Sequence, residues 1–339
     1  MTELLRHQEA PKENFSKGLY SVNIPELGES NKGKVRDSWV FKAGNLNLRV
    51  LLTTDRQSAF DAVLCTTPGK GQVLNLMSAF WFENTKHIIP NHMVNIPHPN
   101  VLIAKQAEET LPVEVVVRRY MAKSSTDTSV YHNYADQGKR TIYGIEFPEG
   151  LKANQEFPMG TVVTPTTKAT VGHDEMLTDD NAREIVDKKL GKGIWDKAKN
   201  TALKIFELGR IRALKKGLIL VDTKYEFGID QKGELMLIDE VHTPDSSRYW
   251  LSRTYNQRLA EEKNPDTYDK DILRRWLAEQ GFKGEGVIPR IDPKIIEQMS
   301  LAYTTPYELI VGKPLPRESD NIVSEIRSSV LKYIDSCKS

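Results

Sequence analysis

Two cysteines stand in the 339 residues, at positions 65 and 337. A disulfide framework needs more than that, and two thiols alone cannot complete a zinc site. The expectation is one core thiol and one exposed thiol. No apolar run approaches the roughly 18–20 residues that a membrane-spanning helix needs. The opening MTELLRHQEAPKENFSKG is polar and carries acids, without the apolar stretch of a secretory signal. Residues 1–18 therefore read as a loose leader, and the protein as cytoplasmic. An excess of one charge is lacking too. Lys and Arg total 47 against 46 Asp and Glu, a formal net charge of +1. Nothing in that balance pulls the whole molecule toward nucleic acid or a membrane, so any basic site must be local. There is no internal repeat and no low-complexity tract.

What is present suffices for a large core, since 39% of the chain is hydrophobic. From Gly33 the pattern predicts antiparallel strands, with Val35, Trp39 and Phe41 followed by Leu46–Leu52 across an Ala43-Gly44-Asn45 turn. A helix is predicted over Leu74–His87, and a strand over Val113–Arg119. Two further helices follow. Thr178–Leu190 opens with Thr178 as N-cap and stops at Gly191, and Ile194–Lys216 ends at Gly217. Next come hairpin strands at Leu218–Phe227 and Glu234–Val241. The C-terminal helices are Asp271–Gln280, one opened by Asp292-Pro293, and Ser319–Ile334. Strands followed by helices, with a late hairpin, indicate α+β rather than a doubly wound sheet.

The hairpin carries the chemistry. Alternate strand residues share a face, so Asp222, Lys224 and Glu226 line one side of LVDTKYEFG. A two-residue turn at Gln231-Lys232 would set Lys224 opposite Asp239. A bulge at Gly233 would bring Glu240 there instead, and periodicity leaves both open. Two carboxylates converging beside a lysine suit Mg²⁺, which takes one or two carboxylates plus phosphate and water. A solvated face of weak ion pairs is the plain alternative. The strand then runs into His242-Thr243-Pro244-Asp245-Ser246-Ser247-Arg248, whose hydroxyls and guanidinium suit phosphate. The alternative there is a serine-capped turn. Gly33-Lys34-Val35-Arg36-Asp37 could lay amides and cations on a triphosphate, although it is not a P-loop. The polar TTDRQSAFD follows a strand, and Arg118, Arg119, Ser124 and Ser125 form a second candidate phosphate cradle.

LVDTKYEFG, LPVEVVVRRYMAKSS, GKVRDSW, TTDRQSAFD, TPTTKATVGHDE and DEVHTPDSSRYW resemble the sequence blocks of the SAICAR synthetase family. In the second, Lys123 stands where the family pattern has glycine. The resemblance spans about Gly33 to Trp250. It implies an ATP-grasp-like α+β fold with a nucleotide cleft between two lobes. Residues 19–112 would form the nucleotide-binding lobe, 113–268 a central lobe, and 269–339 a helical segment. It also implies a reaction. ATP phosphorylates the carboxylate of CAIR, an aminoimidazole ribonucleotide, and the amine of L-aspartate attacks the acyl phosphate.

By the same resemblance Glu226 and Asp239, rather than Glu240, hold Mg²⁺. Lys34, Arg36, Asp222, Lys224 and Lys168 serve ATP. Arg118, Ser124, Ser247 and Arg248 grip the phosphate end of CAIR, with Asp245 near its imidazole and Ser58 and Asp61 at the border. Lys34, Lys224 and Asp245 are the catalytic candidates, and His173 and Asp174 belong to a loop over ATP and aspartate. The partners expected are these small molecules, not nucleic acid or membrane, in a monomer or homodimer. A small-molecule kinase that ignores aspartate, or a non-catalytic nucleotide binder, would carry many of the same features.

Overall fold

The computed structural model describes residues 10–60, 62–168, 174–268 and 271–338. The chain begins with β1 (Asn31–Lys32), β2 (Arg36–Ala43) and β3 (Leu46–Thr53). A hairpin of β4 (Arg56–Ala59) and β5 (Ala62–Thr66) follows, then α1 (Lys70–Thr85), β6 (Met93–His98) and β7 (Val101–Lys105). Strands β1, β2, β3, β7 and β6 form, in that spatial order, an antiparallel sheet. Its period-two pattern decides what faces what. Leu48, Val50 and Leu52 point into a core shared with the C-terminal helix, which leaves Arg49 and Leu51 on the opposite face.

Residues 105–108 then cross to a second sheet. It is built from β8 (Glu109–Thr110), β9 (Val113–Arg118), β12 (Val162–Val163), β13 (Thr166–Thr167), β14 (Leu218–Ile229), β15 (Leu235–Ile238), β16 (Ser247–Leu251) and β17 (Thr267–Tyr268). A small ladder of β10 (Thr141–Ile142) and β11 (Ile145–Glu146) lies in the insertion after β9. Helices α2 (Asp179–Leu190) and α3 (Ile194–Lys215) precede β14, and α3 packs on it. After α4 (Ser252–Ala260) come α5 (Asp271–Glu279), α6 (Pro293–Val311) and α7 (Ile322–Ser336). Helix α6 packs on α1, and α7 covers the first sheet. The largest core joins Trp81 and Phe82 of α1, Trp195 and Phe206 of α3, Tyr225 of β14 and Tyr303 of α6. No helix among the described residues is long and apolar enough to cross a membrane.

Local chemistry sets the helix ends. The Thr178 side chain accepts from Asn181 N at 3.2 Å, acids fill the first turn of α2, and Lys188 and Lys189 fill its last. Asp292 accepts from Lys294 N at 2.9 Å ahead of the first-turn Pro293.

Two expectations are corrected and one open choice is settled. The leader is tied down where it is described. Asn14 is buried, donates to Leu64 O at 3.2 Å and accepts from Ile291 N at 2.9 Å. Helix α1 starts a turn earlier than its apolar pattern, at Lys70, because buried polar contacts replace apolar ones there. Of the two hairpin registers left open, the two-residue turn gives way to the one with an extra residue at Gly233, whose φ is 79°. Ile229 pairs with Leu235 and Glu226 with Ile238, one residue away from the two-residue register. Cys65 is buried, and burial pushes its thiol up to about 12, whereas Cys337 is half-buried at the end of α7.

Candidate active site

A cavity of about 500 Å³ opens between the two sheets, a volume suited to a nucleotide-sized ligand. Val35, Leu51, Leu74 and Ile238 supply its apolar walls, and the crossing segment Lys105-Gln106-Ala107 lines one side. Lys34, Arg36 and Lys168 face Glu226, Asp239, Glu240 and Asp245 across it.

The acids are set by a break in the hairpin. Glu226 lies opposite Ile238, and both line the cavity. By alternation the next residue, Asp239, would turn away. It adopts a left-handed conformation instead (φ 65°), β15 ends, and both Asp239 and Glu240 reach the cavity. Lys168 ion-pairs with Glu226, and Arg36 with Asp239. Arg36 also reaches Glu240 at 3.2 Å. Burial resists ionisation of Asp239, but Arg36, Lys224 and Lys168 outweigh it and hold its pKa below the ordinary value. For the adjacent Glu240 burial wins, helped by repulsion from Asp239 and Asp245, and its pKa rises. The pKa values of two neighbouring carboxylates are thus pushed in opposite directions. Among the described residues no group of three or more His, Cys, Asp or Glu gathers around one point. Two all-oxygen donors, Glu226 and Asp239, on one cavity wall are what Mg²⁺ accepts when phosphate and water complete its shell.

A second charged row lies further along β14. Asp222 sits opposite Arg118 of β9 on one side and Arg248 of β16 on the other. Arg248 Nε donates to Asp222 at 2.9 Å, and Arg118 approaches the carboxylate at 3.5 Å. Burial opposes the charge on Asp222, but the two arginines lower its pKa below the ordinary value. Two guanidiniums sharing one carboxylate leave a local positive surplus, which suits a phosphate monoester. Ser247 Oγ donates to Thr223 Oγ1 at 2.8 Å in the next row.

The relatives of the chain carry one activity. The family model described as SAICAR synthetase matches residues 29–291. The phosphoribosylaminoimidazole-succinocarboxamide synthase of Legionella pneumophila is 43% identical over 89% of this chain and 93% of its own. The chain belongs to the SAICAR synthetase family. Its members are the ATP-dependent ligases of purine biosynthesis, and the chain is read as an enzyme of that kind. The SAICAR synthase of Saccharomyces cerevisiae complexed with SAICAR superposes with a TM-score of 0.73 at 29% identity, covering 88% of this chain and 100% of that one. A SAICAR synthetase in complex with ADP gives 0.62 at 25% identity, covering 86% and 100%. These likenesses bear out the α+β SAICAR synthetase fold.

Against that family frame the site residues sort as follows. Lys34, Arg36, Lys168, Glu226, Asp239 and Asp245 line one cavity. Asp222 does not, since it lies between Arg118 and Arg248, away from the residues expected to serve ATP. Lys224 is not part of the lining either. It bridges Glu114 at 2.8 Å and Glu226 at 3.0 Å, and those acids with Asp239 raise its pKa despite burial. It therefore stays cationic and touches the cavity wall only through Glu226. Ser124 is half-buried and shares a hydrogen bond with Thr126 at 3.2 Å. Ser58 lies in β4, opposite Val63 and outside the cavity lining. Asp174 is exposed and also outside it. Asp61 and His173 lie outside the described residues. Within the DSSR loop, Ser246 takes the turn-capping role, bonding Thr243 through both its N–H and its hydroxyl, while Asp245 reaches the cavity.

Several residues escaped sequence reasoning. Arg49 and His92 line the cavity, each with a buried nitrogen that has no hydrogen-bond partner. Burial pushes His92 down to about 3, so its imidazole is neutral. Lys70 and Tyr303 hold Asp245. No periodicity or motif spacing marks any of the four.

Proposed function

We propose that this protein joins L-aspartate to the carboxylate of CAIR in the cytoplasm, with ATP in the cavity between the sheets. The observation that carries this reading is the meeting of Glu226 and Asp239 with Lys34, Arg36 and Lys168 in one nucleotide-sized space, beside the Arg118–Asp222–Arg248 row. The purine rests between Val35, Leu51, Leu74 and Ile238, against the backbone of residues 105–107. Residues 19–112 and 113–268 supply the two sides of the cleft, and 269–339 buttress it.

Glu226 and Asp239 would hold Mg²⁺, which when bound would neutralise charge on the transferring phosphoryl group. Arg36 and Lys168 turn from their carboxylates to phosphate oxygens, an exchange of one anion for another, and Lys34 joins them. Arg118, Arg248, Ser247 and Ser124 take the phosphate of CAIR, which sets its carboxylate toward ATP and its aminoimidazole toward Asp245. The carboxylate oxygen attacks the γ-phosphorus, and ADP departs. The aspartate amine then attacks the acyl carbon, the carbon–oxygen bond to phosphate breaks, and the amine proton is lost to solvent or a neighbouring base. Positioning and charge neutralisation suffice, so no nucleophilic side chain is required.

The test is turnover of purified protein with ATP, Mg²⁺, CAIR and aspartate. ADP release should require both CAIR and aspartate. Release of a stable phosphorylated product without aspartate would overturn the ligase in favour of a kinase. Asp239→Asn should lose about 100-fold or more in kcat while its circular dichroism is retained, because it removes one of the two carboxylates that would hold Mg²⁺. Unchanged turnover would reject the role of Asp239.

A further inference from the structure

Asp245 is held from behind by the C-terminal part of the chain. Its two carboxylate oxygens have separate partners. Lys70 Nζ lies 3.0 Å from Oδ2, and the Tyr303 hydroxyl donates to Oδ1 at 2.6 Å. Both partners are almost fully buried, each with 1% exposure. They are also fixed to one another and to the hairpin before α1. Lys70 Nζ donates to Arg56 O at 3.0 Å and sits 5.3 Å from the centre of the Tyr303 ring. Tyr303 OH lies 3.0 Å from Gln57 Oε1. Burial and the Asp245 charge keep the Tyr303 phenol well above its ordinary range, so it remains a donor.

A buried lysine and a buried tyrosine are costly to desolvate unless both are satisfied. Here they are satisfied by Asp245, the one member of this group that also lines the cavity. A carboxylate held at both oxygens is restricted in rotation, and this one lies on the cavity wall. Tyr303 belongs to α6, which begins at residue 293, beyond the 29–291 matched by the family model. The C-terminal helical segment thus reaches a carboxylate on the cavity wall.

We infer that Tyr303 and Lys70 are positioning residues that act through Asp245, so that α6 is part of the working enzyme. The inference rests on the reading of Asp245 as the residue facing the aminoimidazole of CAIR. Loss of the Tyr303 hydroxyl frees the Asp245 carboxylate to rotate. The effect falls on the step that Asp245 serves, and ATP binding is spared.

A double-mutant cycle with Tyr303→Phe and Asp245→Asn tests this in the full chain. Tyr303→Phe keeps the ring in the core and removes one hydrogen bond to a charged group. It should lower kcat/KM for CAIR about tenfold or more, with KM for ATP unchanged. In the Asp245→Asn background the same substitution should have little further effect, because the residue it acts through is already altered. Where turnover of that background is too slow, CAIR binding by calorimetry supplies the same cycle. Additive losses in the two backgrounds, or a KM for ATP that rises by as much as the KM for CAIR, would overturn the inference and leave Tyr303 as core packing. Wild-type protein without ligase activity would instead defeat the functional reading. Active wild-type protein with an unimpaired Tyr303→Phe variant would defeat only the inference.

Discussion

Arg56 shows how one side chain can support a site that it does not enter. Its guanidinium bonds Asp37 at 2.6 and 3.2 Å, and also donates to the carbonyls of Tyr20, Gly33 and Lys34 at 2.8, 3.0 and 3.2 Å. The loop that presents Lys34 and Arg36 to the cavity is therefore anchored from beneath. Asp37 is 1% exposed, so removing its partner strands a buried charge. Arg56→Met should destabilise the fold by about 3–5 kcal/mol in urea titration. It should also raise KM for ATP more than KM for CAIR, because it frees the ATP-side loop. A loss of stability with both KM values unmoved would mean that the loop holds its shape without Arg56. The TTDRQSAFD block stood out in the sequence as polar residues after a strand, and Ser58 and Asp61 were its candidates. Much of its weight falls on Asp55 and Arg56, which face inward. A buried arginine and a solvent-facing one read alike in a sequence, because only the fold says which carbonyls surround it.

Helices were legible where caps and periodicity agreed, as in α2, with its Thr178 cap and Gly191 stop. The β14–β15 hairpin was legible as a pair of strands but not in register. Its loop closes with Asp230 accepting backbone bonds from Lys232 and Glu234 at 2.9 Å, and side-chain alternation alone does not encode that choice. A tertiary demand of the same kind acts inside α3. Gly209 occurs mid-helix, where alanine is ordinarily better by about 1 kcal/mol. A Cβ there would lie 2.2 Å from Cε1 and 2.5 Å from Nδ1 of His242. The ring cannot readily retreat, since it hydrogen-bonds Tyr225 and meets the Trp81 ring edge-on at 4.6 Å. Overpacking a tight core costs about 1–3 kcal/mol. Gly209→Ala should therefore be net destabilising in spite of its helix propensity, seen as a lower urea midpoint at an unchanged m-value. A raised midpoint would show that the imidazole yields.

At the scale of the whole molecule, the sequence pointed to two β-rich parts and a helical end, and the SAICAR synthetase resemblance supplied the cleft. What it could not supply is how the last helices close back on the first lobe, because those contacts join residues more than two hundred positions apart. Glu318, between α6 and α7, is a titratable member of that closure. Burial and the nearby Asp55 carboxylate raise it from 4.5 to about 7, against the pull of the Gly69 amide, and its Oε1 is buried without a hydrogen-bond partner. The folded state thus holds this proton more tightly than the unfolded chain does. Its contribution favours the fold below about pH 4.5 and is lost as pH rises through about 7. His92 and His242 act in the opposite sense. Burial drives both down to about 3, so the unfolded chain takes up their protons first and stability falls as pH drops below about 6.5. The slope of wild-type stability against pH is therefore a contest between these groups, and its sign alone identifies none of them. Glu318→Gln removes one contestant and leaves the histidines in place. The stability of Glu318→Gln relative to wild type should climb as pH goes from about 4.5 to about 7 and level off above that, as read from urea midpoints across the range. A constant difference across that range would mean that Glu318 titrates in the folded protein as it does in the unfolded chain.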